Sequence, residues 1–309
     1  MRDAPERAPR RVVVTAGQAA LFVVLASLAF ATSGPLGRYA RPADPVVIAF
    51  GRVLLAGALL FAVDARAVLR SFRALTASKR RLVAAAGALL GAHFALFFAG
   101  LDHTSLPAAV ALVSLEPLAV VASAWAIFGL RPSRKEGLGV LLATAGAVVI
   151  GSASGSGEHT LFGDALVVAA VALFGVYVSI ARLCRDALPA RHYAALVYLA
   201  AAAPLAAWLA SAALFAGDAE SLALPPHATI AIVLLALIPT IFGHTAVQTA
   251  ARHLSPSIVS LVSPGETLGA IALGALFLSA APTAVELAGA TVIVCGSAIT
   301  LLAQRRVAS

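Results

Sequence analysis

Two glutamates, Glu116 and Glu266, lie 150 positions apart, each near the middle of a long apolar run. A charged side chain at the centre of a membrane costs about 2.5 to 3.5 kcal/mol on insertion scales, so acids in such places are seldom incidental. A carboxyl group in apolar surroundings can bind a cation, a proton or a substrate amine. The two glutamates are therefore the first candidates for a functional site.

A proline accompanies each acid: Pro117 follows Glu116, and Pro264 precedes Glu266. Proline has no backbone N–H, so it frees a carbonyl four residues earlier, here that of Val113 or Ser260. Each acid is thus predicted to lie beside a kink with a free hydrogen-bond acceptor. The alternative is that both acids are neutral, or paired with a nearby arginine, and only hold helices together.

Further polar side chains recur in the same kind of surroundings. Thr240, His244 and Gln248 follow one another at every fourth position, which predicts one polar stripe along a helix. His93 is their near counterpart in the first half of the chain. We expect these residues to line a central cavity with the two glutamates. For either histidine, the alternative is a hydrogen-bonded packing residue.

The chain is an internal duplication. A shift of 150 positions superimposes identical residues without a gap, from His103 onto His253 to Gly146 onto Gly296. The other coinciding pairs are Ser105 and Ser255, Glu116 and Glu266, Leu118 and Leu268, Ala122 and Ala272, Pro132 and Pro282, Glu136 and Glu286, and Gly139 and Gly289.

Composition identifies the solvent of this chain as lipid. Hydrophobic residues make up 61% and charged residues 12%, too few charges to cover a globular surface in water. Repeated apolar stretches of about 20 residues, each long enough to cross the hydrocarbon core, predict an all-α membrane protein. We predict ten transmembrane helices, at 12–38, 45–63, 82–101, 106–129, 136–152, 162–182, 192–215, 228–250, 256–278 and 284–303.

The basic residues give these spans an orientation. With both termini in the cytoplasm, all of the 22 Lys and Arg lie in cytoplasmic segments except Arg38, Arg41 and Arg52. This distribution follows the positive-inside rule and predicts a multi-pass protein of the cytoplasmic membrane. The net charge of +8 therefore reflects the membrane topology. No nucleic-acid partner is expected, because the basic residues are spread over short loops that face anionic lipid.

Arg52 differs from the other basic residues because it falls within a predicted span. An unpaired guanidinium in lipid is costly. We expect Arg52 to face the helix bundle and to pair with a carboxylate such as Glu116 or with a negative group of a substrate.

Five spans in each repeat reverse the orientation of the second repeat. The prediction is therefore two inverted-topology five-helix repeats, with substrate sites near the midplane between them. The predicted boundaries are a cytoplasmic tail at 1–11, repeats at 12–152 and 162–303, an extracytoplasmic linker at 153–161 and a tail at 304–309.

In the order of its motifs, the chain resembles the EamA type of the drug/metabolite transporter superfamily, over about residues 15 to 303. Arg38 and Arg182, which close the first helix of each repeat, and Arg52 fit that pattern. Leu130 and Ala280 stand where the family commonly ends the fourth helix of each repeat with a glutamate, and the first helix has Phe30 near the place of a frequent tryptophan. The stretches that carry the resemblance are PVVIAFGRVLLAG (45–57), GAHFALFFAGLDHTSLPAAVALVSLEPLAVV (91–121), GDALVVAAVALFGVYVSIAR (163–182) and IPTIFGHTAVQTAARHLSPSIVSLVSPGETLGAIALGALFL (238–278).

The resemblance implies a secondary transporter of a small polar metabolite, such as an amino acid or its derivative, often exported. Efflux of drugs or amphipathic compounds is the alternative, and an intramembrane enzyme has less support because no HExxH motif is present. No cofactor or metal is expected: the histidines show no ligand spacing, and no GxxxxGK loop for ATP occurs. Gly139, Gly146, Gly289 and Gly296 predict close helix packing, within the chain or in a homodimer.

Overall fold

The computed structural model describes residues 16–104, 106–153, 160–216, 224–277 and 283–305. That part of the chain is helical and contains no strand. The predicted tail 1–11 and most of the predicted linker 153–161 lie outside it. The helices are α1 (Ala16–Phe30), α2 (Ser33–Tyr39), α3 (Pro45–Val63), α4 (Ala65–Ala74), α5 (Ala77–His103), α6 (Leu106–Val113), α7 (Glu116–Phe128), α8 (Arg134–Ala153), α9 (Leu161–Leu183), α10 (Ala190–Ala216), α11 (Pro226–Leu235), a π-helix (Ala236–His244), α12 (Thr245–His253), α13 (Pro256–Val259), α14 (Val262–Phe277) and α15 (Ala284–Arg305).

Within the described residues, eight helical stretches are long and apolar enough to cross a membrane, judged by length and composition. They coincide with eight of the ten predicted spans. The other two predicted spans correspond to α8, which begins with three charged residues, and to α15, whose apolar part is the shorter Leu287–Ala303.

Four predicted spans are not single α-helices. The first is divided between α1 and α2, the fourth between α6 and α7, and the ninth between α13 and α14. The breaks at α6/α7 and α13/α14 lie beside Pro117 and Pro264, where a lost backbone donor favours interruption. The eighth span is continuous but carries the π-helix around Pro239, which a reading based on a regular 3.6-residue period did not predict.

The segment between α3 and α5, which joins the second and third predicted spans, contains helix α4. Asp64 caps this helix by accepting a hydrogen bond from the backbone N–H of Ala67 at 3.2 Å. Val68 is buried, whereas Arg66 and Arg70 are exposed on the other face. An amphipathic basic helix of this kind is typical of a membrane surface.

Helices α8 and α15 pack against each other through their glycines, within one chain. A Cβ atom built on Gly139 would lie 2.6 Å from the carbonyl oxygen of Gly296, and one on Gly146 would lie 2.7 Å from that of Gly289. Residue 139 thus meets 296 while 146 meets 289, so the two helices run antiparallel. Each contact is the counterpart of the other under the 150-residue shift. The predicted packing role of these glycines is therefore met inside the chain.

We expect Gly146→Leu to destabilise the protein by about 2 kcal/mol or more, because the new side chain would collide with the backbone of α15. The measurement is the thermal unfolding midpoint of the purified protein in detergent. Gly137→Ala is the matched control, since a Cβ atom at Gly137 in the same helix meets nothing within 4 Å. An unfolding midpoint for Gly146→Leu equal to that of the control would contradict this account of the packing.

Candidate functional site

A cavity lies between the two halves of the chain. Its volume is about 30 Å³, room for roughly one or two water molecules, so a substrate requires its walls to separate. Both repeats contribute to the walls. The lining residues are Phe30, Ser33, His93, Phe94, Phe97, Val113, Glu116, Phe174, His244 and Glu266.

Glu116 enters the cavity from the break between α6 and α7, as the first residue of α7, and is buried. Backbone N–H groups at a helix start are free to bind or orient negative charge. One oxygen of this carboxyl group, Oε2, has no hydrogen-bond partner. Glu266 lies in α14 and lines the same cavity, so the two acids of the duplication meet at one place.

Ser263 joins the halves beside these acids. Its hydroxyl donates a hydrogen bond of 2.9 Å to the carbonyl of Val113, one of the two carbonyls predicted to be freed by a proline. The Ser263 side chain also lies within hydrogen-bonding reach of Glu116. Because Val113 and Ser263 are equivalent under the 150-residue shift, their contact places the junction of the two repeats next to both acids.

Two imidazoles form another part of the wall. His93 Nδ1 is 2.9 Å from the carbonyl oxygen of Ala170, which makes that nitrogen the donor and leaves Nε2 as an acceptor. His244 lies 6.2 Å from His93 between ring centroids, and its buried Nδ1 has no hydrogen-bond partner. His93 thus has one nitrogen fixed by packing, whereas His244 retains an unsatisfied polar atom.

Aromatic rings surround His244. The ring centroids of Phe30, Phe94 and Phe174 lie 4.6, 4.8 and 5.9 Å from that of His244. Phe30 packs closely because Gly243 gives it room: a Cβ atom on Gly243 would lie 2.5 Å from the Phe30 ring. The cavity therefore combines an apolar aromatic wall with a few convergent polar groups, the usual composition of a small-molecule site.

Arg52 faces the bundle, as predicted, and is fully buried. Its Nε donates to the Thr240 hydroxyl at 2.9 Å, its Nη1 lies 3.5 Å from the hydroxyl oxygen of Ser33, and its guanidinium carbon lies 3.8 Å from the centroid of the Phe94 ring. The ion pair predicted with Glu116 is not formed, because these contacts hold the side chain behind the cavity wall. Arg52 Nη2 has no hydrogen-bond partner.

The predicted stripe on the eighth span is divided. His244 lines the cavity, but Thr240 turns toward Arg52 and donates to the carbonyl of Leu235 at 2.7 Å. Gln248 donates to the hydroxyl of Tyr177 at 2.6 Å and does not line the cavity. The π-helix, which ends at His244, widens the turn to i→i+5 bonding, so Thr240 and His244 do not share one face.

Several cavity residues were not predicted. The phenylalanines resemble the lipid-facing residues of any span, and Ser33 and Ser263 resemble ordinary small residues of helix interfaces. One available signal was His93 and Phe97, which are four apart and share a helical face. The break between α1 and α2, which places Ser33 at the cavity, lies beside Gly34 and Pro35, a dipeptide that commonly interrupts a helix.

The apolar helices and the cavity between duplicated helical units define the class of protein, a multi-pass membrane protein. The EamA-like transporter family matches residues 17–152 and 161–302, one match on each repeat. The chain belongs to this family.

The fold is also that of a solved protein. A crystal structure, described only as that of a protein, has a TM-score of 0.73 to this chain at 21% sequence identity. The similarity covers 94% of this chain and 100% of the other. No curated protein matches the chain.

Proposed function

We propose that the protein is a secondary transporter that moves a small metabolite across the cytoplasmic membrane by alternating access. The observation that carries this proposal is the small cavity at the junction of the repeats, where Glu116, Glu266, His93 and His244 converge. Transporters built from repeats bind substrates at this junction and open it to one side at a time.

The proposed topology has ten transmembrane helices in two inverted five-helix repeats, with both termini in the cytoplasm. The antiparallel packing of α8 and α15 supports it, because equivalent helices that cross antiparallel are related by a two-fold axis perpendicular to them. The positions of the basic residues support the orientation.

Cysteine labelling tests the topology. In a cysteine-free protein, a cysteine at Ser78, exposed at the start of α5, should react with an impermeant thiol reagent only from the cytoplasm. A cysteine at Ser156, outside the described residues, should react only from the periplasm. Labelling of both from one side would contradict the inverted arrangement.

For the substrate we propose an amino acid or a related compound carrying both charges, with export as the direction and protons as the coupling ion. Glu116 and Glu266 provide acceptors for an amine. Arg52 has a free guanidinium nitrogen behind Ser33, which supports a place for a carboxylate once the cavity opens. Thr240 orients Arg52 through its hydroxyl. Gln248, further along the same span as Thr240, holds that span against α9 through the hydroxyl of Tyr177.

The aromatic wall favours a second candidate, efflux of amphipathic or drug-like compounds. Phe30, Phe94, Phe97 and Phe174 line the cavity, and aromatic surfaces accept varied apolar groups. A thermal-shift screen of amino acids, nucleosides, sugars and amphipathic drugs separates the two candidates, since a bound ligand raises the unfolding midpoint. Stabilisation by amino acids that is lost in Glu116→Gln supports metabolite transport. Stabilisation by hydrophobic cations alone favours efflux.

A further inference from the structure

Two arginines make the same contact at two places in the duplicated fold. Arg38, in the last turn of α2, donates from Nη2 to the carbonyl of Thr104. Arg182, in the last turn of α9, donates from Nη2 to the carbonyl of Leu254 and from Nε to that of Ala251 at 3.2 Å.

The carbonyls that receive these bonds are equivalent. Thr104 caps the C-terminus of α5 and Leu254 caps that of α12, and the two are one repeat of 150 residues apart. The backbone N–H groups of Thr104 and Leu254 also bond alike, to the carbonyls of Gly100 and Ala250, each at 2.8 Å. C-terminal carbonyls carry partial negative charge, so a guanidinium is attracted to them.

The two contacts lie at opposite ends of the bundle. Thr160, which caps the start of α9, donates to the carbonyl of His103 next to Thr104 at 2.8 Å. Arg182 stands at the other end of the same helix, which is 23 residues long and therefore about 35 Å in length. One arginine contact thus lies at each end of α9.

The Arg38 contact lies over one end of the central cavity. Ser33 of α2 and Phe97 of α5 both line the cavity. Between them and the arginine, the two helices touch: a Cβ atom on Gly37 would lie 2.7 Å from the Phe98 ring. Opening the cavity on this side requires α2 and α5 to separate, which breaks the bond from Arg38 to Thr104.

The Arg182 contact lies over the other end. One helical turn beyond Glu116 and Phe174, a cavity of about 10 Å³ is lined by Val120, Val178 and Ser179, and beyond it a cleft of about 310 Å³ opens at the surface. Arg182 lines both of these spaces. It therefore stands at the constriction between the surface cleft and the acids.

We propose that Arg38 and Arg182 are the latches of the two gates, the outer and the cytoplasmic one, and that each bond to its carbonyl breaks when the cavity opens on that side. This inference rests on the proposed function. Both acceptors are main-chain carbonyls rather than carboxylates, so water can replace them when the helices part. The equivalence of the latches gives the two gates one closing contact in common, as alternating exposure requires. The outer gate also has an ion pair of 2.7 Å between Arg41 and Asp102.

A crossed labelling experiment tests the latches. The background is the full chain with Cys184 and Cys295 replaced by serine. Burial raises the pKa of the Cys184 thiol and so slows its reaction, but Cys184 is only two residues from Arg182 and is therefore replaced as well. A reporter cysteine is placed at Ser33 for the outer gate or at Ser179 for the cytoplasmic gate. The rate of reaction with an impermeant thiol reagent is measured from each side of oriented membrane vesicles.

Arg38→Ala should raise the labelling rate of Ser33→Cys from outside by about tenfold, the change expected from losing one hydrogen bond to a charged group. It should lower that of Ser179→Cys from the cytoplasm. Arg182→Ala should do the reverse. Arg191→Ala is the matched control, since Arg191 is half-exposed at the cytoplasmic end in an ion pair of 3.6 Å with Asp64 and lines neither space.

Equal increases at both reporters would mean general loosening and would overturn the proposal, as would unchanged rates. If Arg182→Ala fails to reach the membrane, Arg182→Gln provides the second variant, with the same direction expected. The readout needs no substrate. Crossed labelling without flux of any compound would support the latches and contradict the proposed transport function. Flux without crossed labelling would support the transport function and contradict the latches.

Discussion

Glu266→Gln is expected to abolish pH-dependent transport while the amount of folded protein in the membrane stays near that of the wild type. Glutamine keeps the size and hydrogen bonding of the side chain but cannot exchange a proton. Glu266 lines the cavity beside His244 and Glu116, where a carboxyl group can take up a proton when water enters and release it to the other side. The measurement is substrate flux in proteoliposomes at several imposed pH gradients.

The matched control for this prediction is Asp186→Asn, which neutralises a carboxylate that is 93% exposed in a surface loop. It should leave the pH dependence unchanged. Normal transport by Glu266→Gln across pH gradients would show that the acid is not a coupling site. Loss of folding and flux together would favour the structural alternative, in which the acid holds helices together.

Arg52→Lys is expected to lower flux by about tenfold or more without loss of folded protein. Lysine keeps the positive charge but lacks the planar guanidinium that contacts Thr240 and Ser33 and leaves Nη2 free for a substrate carboxylate. Each hydrogen bond to a charged group contributes about 1.5 to 3 kcal/mol. The measurement is the concentration dependence of uptake. Weaker apparent affinity for the carboxylated substrate should account for most of the loss.

Arg66→Lys on the exposed face of α4 is the control, with unchanged flux expected. Equal flux in Arg52→Lys and wild type would contradict a role in substrate binding. So would equal losses for a substrate and for its carboxylate-free analogue, because the arginine would then support the helices alone.

The two acids could be predicted from sequence because charge is costly in lipid. An acid in an apolar run must face the bundle interior or a cavity rather than lipid. A proline beside it predicts an interruption of the helix. Glu116 and Glu266 accordingly meet at one cavity, and the breaks at α6/α7 and α13/α14 fall beside Pro117 and Pro264. The packing role of the glycines that pair α8 with α15 was predictable for a different reason, because small residues in membrane helices allow close packing.

Other parts of the site depend on geometry that a regular period does not contain. Extrapolation at every fourth residue assumed an α-helix through Pro239, but the π-helix separates Thr240 from His244 and Gln248. The sequence predicts that Arg52 pairs with a carboxylate. Its guanidinium instead contacts the hydroxyl groups of Thr240 and Ser33 and the ring of Phe94. The cavity-facing phenylalanines are chemically identical to those facing lipid, so only packing distinguishes them.

The most direct test of the transporter assignment is counterflow in proteoliposomes, which requires neither a known coupling ion nor a known direction. Vesicles containing the protein are loaded with an unlabelled compound that stabilises it, then diluted into a trace of the labelled compound. We predict transient accumulation of unaltered label inside the vesicles and none in protein-free vesicles. Failure of every stabilising compound to accumulate, or recovery of the label in chemically changed form, would contradict the account.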